Sequence, residues 1–266
     1  MNRDDVTTTG CGACRDGSPL GIDFQMAFQP IVNVTTREVF AWEALVRGPS
    51  GEGAGHVLGQ VNEANRYAFD QACRVRAIET AARLGLGEGP AKLSINFLPN
   101  AVYRPETCIQ TTLKAARRTG FPPAKLIFEV TEGEQIANRD HLKNIFAAYR
   151  KMGFTTAIDD FGAGYAGLNL LAEFQPDILK IDMELTRRIH GDLVRQAILK
   201  SITTFSRSLG FTVVAEGIES VDEMLFLQGI GIELFQGHFF ARPAIGQLPE
   251  PAWPTFIEDL PAARAR

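Results

Sequence analysis

The chain has 266 residues, 45% hydrophobic and 22% charged, with a formal net charge of −4 from 27 Lys and Arg against 31 Asp and Glu. That length can bury a core that needs no disulfide staples, and the composition is that of an ordinary globular protein. A weakly acidic chain does not suit a protein that coats DNA or RNA, since that affinity comes from many cationic contacts to phosphate; a small phosphate-bearing ligand held through metal ions stays open.

No run approaches the ~20 apolar residues that cross a bilayer, so no membrane insertion is expected, and the polar start MNRDDVTTTG is no apolar leader. The expected compartment is the cytoplasm, with Cys11, Cys14, Cys73 and Cys108 reduced. The four histidines, at 56, 141, 190 and 238, are too scattered for a zinc centre. Cys11 and Cys14 form a C-x-x-C unit without a second nearby pair, so inert thiols are expected rather than a metal or redox site.

In chain order, residues 1–20 lack apolar periodicity and are expected to form a Cys-bearing tail. Residues 21–247 are expected to form one domain. Residues 248–266, with prolines at 249, 251, 254 and 261, are a second expected tail, docked in part through Trp253 and Phe256. Inside the domain, amphipathic stretches end in Gly and lead into short β-rich runs. CIQTTLKAARRTG leads through FPPAK to LIFEV, HLKNIFAAYRKMG to FTTAIDD, and AILKSITTFSRSLG to FTVVAEG. Gly120, Gly153 and Gly210 are expected left-handed caps. Helices of 10–15 residues alternating with apolar strands predict βα units on a parallel sheet. In the helix DLVRQAILKSITTFSRSL, most of the stripe that includes Leu193, Ile198, Ile202 and Phe205 is expected to face the barrel.

Oxygen-bearing residues stand at the carboxyl ends of these strands: Glu43, Asn96, Glu129 with Glu132, Asp159 with Asp160, Asp182 after Lys180, Glu216 and Gln236. A parallel barrel gathers its active site at that end. If Glu43, Asn96, Glu129, Asp159, Asp160 and Glu216 converge, two carboxylates about 4 Å apart repel by roughly 4 kcal/mol at an effective dielectric of 20. Lys180 alone cannot offset five, so either pKa values rise or divalent cations bind. Oxygen ligands without Cys or His suit Mg²⁺ or Mn²⁺, and an adjacent Asp pair suits one carboxylate shared between two ions. The chemistry expected is metal-dependent phosphodiester hydrolysis, with Lys180 orienting a water or neutralising developing charge.

The motifs QPIV, EALVR (43–47), INF around Asn96, FEVTE (128–132), DDFGAGYAGL (159–168), LKID (179–182), VVAEGIE (213–219) and FQG (235–237) resemble the EAL domain family of bacterial cyclic di-GMP phosphodiesterases. The resemblance runs from about Phe24 to about Pro243. It implies a modified (β/α)₈ barrel with one antiparallel strand, and hydrolysis of cyclic di-GMP to linear pGpG with two Mg²⁺ or Mn²⁺ ions and inhibition by Ca²⁺. Glu43, Asn96, Glu129 and Asp159 correspond to ligands of one ion, and Asp159, Asp160 and Glu216 to ligands of the other. Lys180, Asp182 and Gln236 correspond to further catalytic positions. Gln29, Leu45, Arg47 and Glu219 correspond to substrate contacts, and Glu132 to an anchor for the loop 160–168. Family dimers imply a homodimer, and a regulatory protein partner is a further expectation. The segment GPSGEGAGHVL after Arg47 is shorter than the family's usual one, which bears on the rim of the base site. The alternative expectation is a receptor that binds the nucleotide without hydrolysing it and acts through a protein partner.

Overall fold

A computed structural model describes residues 21–131, 139–164 and 167–253. Strands β1 (Gln25–Asn33) and β2 (Glu38–Arg47) form an antiparallel hairpin. Asn33 Oδ1 turns the chain between them by accepting the N–H groups of Thr35 and Thr36 at 2.9 and 3.0 Å. From β2 the pairing is parallel through β3 (Lys92–Asn96), β4 (Leu126–Thr131), β5 (Thr155–Phe161), β6 (Ile178–Ile181), β7 (Thr212–Ala215) and β8 (Leu234–Phe235). β1 pairs antiparallel with both β8 and β2 and so closes the ring. A short β9 (Ala244–Ile245) bonds to β1 from outside. This is the expected eight-stranded barrel with one antiparallel strand.

The helices are α1 (Ala54–Leu58), α2 (Arg66–Arg83), α3 (Pro105–Thr119), α4 (Arg139–Lys151), α5 (Gly167–Glu173), α6 (Met183–Thr186), α7 (Leu193–Leu209) and α8 (Val221–Gly229). Gly120, Gly153 and Gly210 take φ of 72°, 84° and 78°, the left-handed geometry expected of them. No helix among the described residues is long and apolar enough to cross a membrane.

The α7 stripe is buried only in part. Leu193 is 80% exposed and Ile198 42% exposed, while Leu199, Ile202, Thr203 and Ser206 are buried. At 3.6 residues per turn, Leu193 lies about two and a half turns before Ile202 and therefore on the opposite side. Phe205 sits at the edge of the buried face, partly buried against the core.

Strand side chains alternate between two cores. Facing outward, Leu93, Ile95, Phe128, Val130, Ile158, Leu179, Ile181 and Phe235 join the helices in one large cluster. A second, separate cluster of Ile31, Ala41, Ile127, Ala157, Ile178, Val214 and Leu234 plugs the barrel interior. Beyond the plug, Trp253 packs on the outer cluster, and the Ala252 N–H donates to the Phe240 carbonyl at 2.8 Å. Phe256 lies outside the described residues.

Candidate functional site

The plug positions the site. On six strands, the residue two places toward the carboxyl end of a plug residue faces the same interior one pleat higher: Glu43, Glu129, Asp159, Lys180, Glu216 and Gln236. β1 runs the other way, so its member of this layer is Gln29, two places before Ile31. A dry apolar floor thus carries a ring of polar groups. Lys180 is fully buried at its centre, with Nζ 3.2 Å from Glu43 Oε2, 3.1 Å from Glu129 Oε2, 3.0 Å from Asp159 Oδ1 and 2.7 Å from Glu216 Oε1.

One ammonium among four carboxylates leaves excess negative charge in a poorly hydrated place. Burial, with Glu43 and Asp159 adding to it against Lys180, pushes Glu129 up to about 8. Burial and Asp159 push Asp160 up to about 6. Burial, then Asp159, holds Glu216 well above the ordinary carboxylate range. For Lys180, burial works against the charged form, but the surrounding Asp159, Glu129, Glu216 and Glu43 outweigh it and lift its pKa well above the usual value.

The carboxylates form two overlapping triads, Glu43–Glu129–Asp159 and Asp159–Asp160–Glu216, each able to bring its oxygens within 4.8 Å of one another. Asp159 belongs to both. Asp160 reaches its triad through a left-handed backbone, φ 55°, rare outside Gly but tolerated by Asp, and its N–H donates to Asp159 Oδ1 at 2.9 Å. Amides fix Glu43: Asn96 Nδ2 donates to Oε1 at 3.0 Å, and Gln236 Nε2 donates to Oε2 at 2.7 Å. Gln236 also donates to Gln29 Oε1 at 3.2 Å, and Gln29 Nε2 to the Ala241 carbonyl at 3.0 Å. Gly237 lets the chain turn away from Gln236, because a Cβ there would stand 2.1 Å from the Ile218 carbonyl oxygen.

Two cavities open over this ring, and Asp160 lines both. One, of about 360 Å³, is walled by Leu45, Phe69, Ile95 and Leu98, with Glu43 and Asn96 at its base. The other, of about 340 Å³, is bounded by Gln29, Asp182, Glu216, Glu219, Gln236 and His238. Of the substrate contacts expected from sequence, Gln29, Leu45 and Glu219 line these cavities. Arg47 stands at the end of β2 with its guanidinium on the Val46 carbonyl at 2.7 Å. Glu219 pairs with Arg187 at 3.0 Å, and Asp182 caps α6 by accepting the Glu184 N–H at 2.7 Å. Glu132 lies outside the described residues, as do positions 165 and 166 of the loop it was expected to anchor.

Sequence reasoning missed three contributors. Ser94 is buried on β3 two places before Asn96, and its hydroxyl donates to Glu129 Oε1; the period of two was its signal. Asp70 of α2 lines the larger cavity and pairs with the buried Arg74 at 2.6 Å. Thr186 is fully buried and donates to the Glu216 carbonyl at 2.6 Å.

The family model described as EAL domain matches residues 20–243. A standalone versatile EAL protein from Vibrio cholerae O395, solved in its c-di-GMP-bound form, is 53% identical and superposes with a TM-score of 0.84 over 88% of this chain and 98% of that one. Klebsiella pneumoniae BlrP1, solved as a manganese and cyclic di-GMP complex, is 39% identical with a TM-score of 0.81 over 88% of this chain and 59% of its own. The blue light- and temperature-regulated antirepressor BluF of Escherichia coli K12 is 34% identical over 88% of this chain. The chain spans 57% of BluF and 33% and 27% of two further curated relatives, so it matches a part of each.

Proposed function

Because the chain belongs to the EAL domain family, we propose that it is a phosphodiesterase that hydrolyses one phosphodiester bond of cyclic di-GMP to linear pGpG. The observation that carries this reading is the pair of carboxylate triads sharing Asp159 above a dry barrel floor. Their all-oxygen donor set, joined by the Asn96 amide oxygen after rotation, suits two Mg²⁺ or Mn²⁺ ions. Such ions, held by Glu43, Asn96, Glu129 and Asp159 on one side and Asp159, Asp160 and Glu216 on the other, would supply an acidified water and charge for the phosphoryl oxygens.

The chain's own groups do the rest. Lys180, kept charged by its carboxylate neighbours, orients the attacking water or offsets charge developing on the phosphate. Gln236 holds Glu43 in one orientation, and Gln29, braced on Ala241, meets the substrate beside it. Asp182 supports the site from the α6 cap. The apolar wall that includes Leu45 suits a guanine face, Glu219 lies at the rim of the second cavity, and Arg47 swings from the Val46 carbonyl to a phosphate. Two cavities meeting at Asp160 suit the two halves of a cyclic dinucleotide. The apolar residues exposed on α7 support a homodimer.

A second reading, a receptor that binds without hydrolysis and acts through a protein partner, is favoured by the likeness to an antirepressor. Incubation with cyclic di-GMP and Mg²⁺, followed by chromatography, separates the two. Linear pGpG is expected; bound but intact nucleotide would establish the receptor instead.

A further inference from the structure

Glu216 belongs to the second carboxylate triad and stands just past the end of β7. Its backbone is fixed from two sides. The Glu216 N–H donates to the Ile181 carbonyl at 3.0 Å, and the Glu216 carbonyl accepts the Thr186 hydroxyl at 2.6 Å. Gly217, φ 65°, packs so closely on α6 that a Cβ there would lie 2.3 Å from Met183 Cβ. Six residues on, Glu223 of α8 makes a second tie, to the chain just after α6. The Glu223 carboxylate, 4% exposed, accepts the N–H of Arg188 at 2.7 Å and those of Glu219 and Ser220 at 3.0 Å. The Thr186, Met183 and Arg188 contacts join residues 183–188 to the chain past β7, while the Glu223 bonds to Glu219 and Ser220 hold that loop from the α8 side.

We infer that Thr186 and Glu223 are positioning residues that set the strength of the Asp159–Asp160–Glu216 metal position, by clamping the Glu216 loop onto α6. This rests on the metal-dependent reading given above. Groups that orient a metal ligand typically govern affinity by about 10- to 100-fold. Thr186 does this with a single hydroxyl in a fully buried setting, so Val, which matches its shape, removes the hydrogen bond and little else. Glu223 does it with one carboxylate serving two segments at once.

The test is Mn²⁺ binding to the full chain, read from the electron paramagnetic resonance of free Mn²⁺ and so independent of turnover. Wild type is expected to bind two ions. Thr186→Val is expected to keep one at wild-type strength and to bind the other about 10-fold more weakly or worse, with a matching rise in the Mn²⁺ concentration that gives half-maximal rate. Thr186→Ser, which keeps the hydroxyl, restores both. Glu223→Ala behaves as Thr186→Val and serves where that variant folds poorly. Asp192→Ala removes the α7 cap, where Asp192 Oδ1 accepts the N–H groups of Val194 and Arg195; it lowers stability and leaves both ions in place. Wild type binding two ions with Thr186→Val and Glu223→Ala indistinguishable from it would overturn the inference alone. Wild type binding none would overturn the metal-dependent reading and this inference with it.

Discussion

Glu43 is held by three donors, Lys180, Asn96 and Gln236. Its place in the sheet follows from the alternation of β2. Glu43→Gln is therefore expected to fold, and to melt no lower than wild type, because it removes one of several like charges from a buried ring. Turnover is expected to fall by about 100-fold or more, the scale seen when one group stabilising a charged transition state is lost. Melting followed by circular dichroism, alongside a cyclic di-GMP assay, checks both halves; wild-type turnover would remove Glu43 from the chemistry. The same ring is expected to bear on ion choice. Mg²⁺ binds oxygens at about 2.0–2.1 Å in strict octahedral geometry and Ca²⁺ at about 2.3–2.6 Å in looser shells. Two triads sharing Asp159 favour the tighter ion, so Mg²⁺ and Mn²⁺ are expected to support turnover and Ca²⁺ to suppress it in competition. A Ca²⁺-loaded protein as fast as the Mg²⁺-loaded one would contradict this.

At the scale of elements, α2 carries an ion pair on its buried stripe. Arg74 is fully buried, 2.6 Å from Asp70, 3.0 Å from the Tyr149 hydroxyl, and stacked over Phe97 and Phe128. It links α2 to α4 through the outer core, while Asp70 accepts the Leu98 N–H at 2.9 Å beside the larger cavity. Burial pushes the Asp70 carboxyl up and Arg74 pulls it back. Arg74→Met should cost about 3–5 kcal/mol, because it strands a buried carboxylate. Adding Asp70→Asn should recover part of that loss, measurable as a coupling in urea denaturation. The α8 capping box gives a pH signature. Burial raises the Glu223 carboxyl, but the N–H groups of Arg188, Glu219 and Ser220 outweigh it and hold the pKa below the ordinary 4.5. A carboxylate with a lowered folded pKa stabilises above its unfolded value and loses that contribution as pH falls through the folded one. Wild type should thus lose stability below pH 4.5 more steeply than Glu223→Gln, and parallel acid unfolding curves would contradict the assignment. Much of this scale is legible in the chain itself. Strand runs that carry Glu43, Asn96, Glu129, Asp159 and Glu216 toward their carboxyl ends announce that face, and a period of two places Glu43, Glu129, Asp159 and Glu216 one pleat above an apolar residue. What is not legible is contact between elements far apart in sequence. Nothing near Thr186 marks it as a partner of Glu216, thirty residues on, and nothing near Arg74 announces Tyr149. Ser220-x-x-Glu223 does carry a readable cap signal, but not its grip on Arg188.

At the scale of the whole molecule, the barrel buries its helices' inner faces and leaves apolar side chains at the start of α7 exposed among the described residues. Leu193 is 80% exposed and Val194 70% exposed in the first turn of α7, with Ile198 one turn on, and Leu168 of α5 is 66% exposed. The periodicity of α7 predicts a buried stripe correctly in kind, but Leu193 lies on the far side of the helix, so burial against the barrel does not account for it. An apolar pair at a helix start costs solvation unless something covers it. A second copy of the chain is the economical cover, because a two-fold pairing sets the same patch against itself. Charged substitutions there test this without touching the barrel, since neither side chain is buried. Leu193→Asp with Val194→Lys should leave the melting profile of the isolated chain intact and shift sedimentation toward the monomer at micromolar concentration. α7 follows directly on the α6 segment that grips Glu216, so loss of the partner should also lower turnover at dilute protein, with activity in the wild type rising as concentration drives association. A wild type that sediments as a monomer throughout, with specific activity independent of concentration, would show that the patch does not mediate self-association.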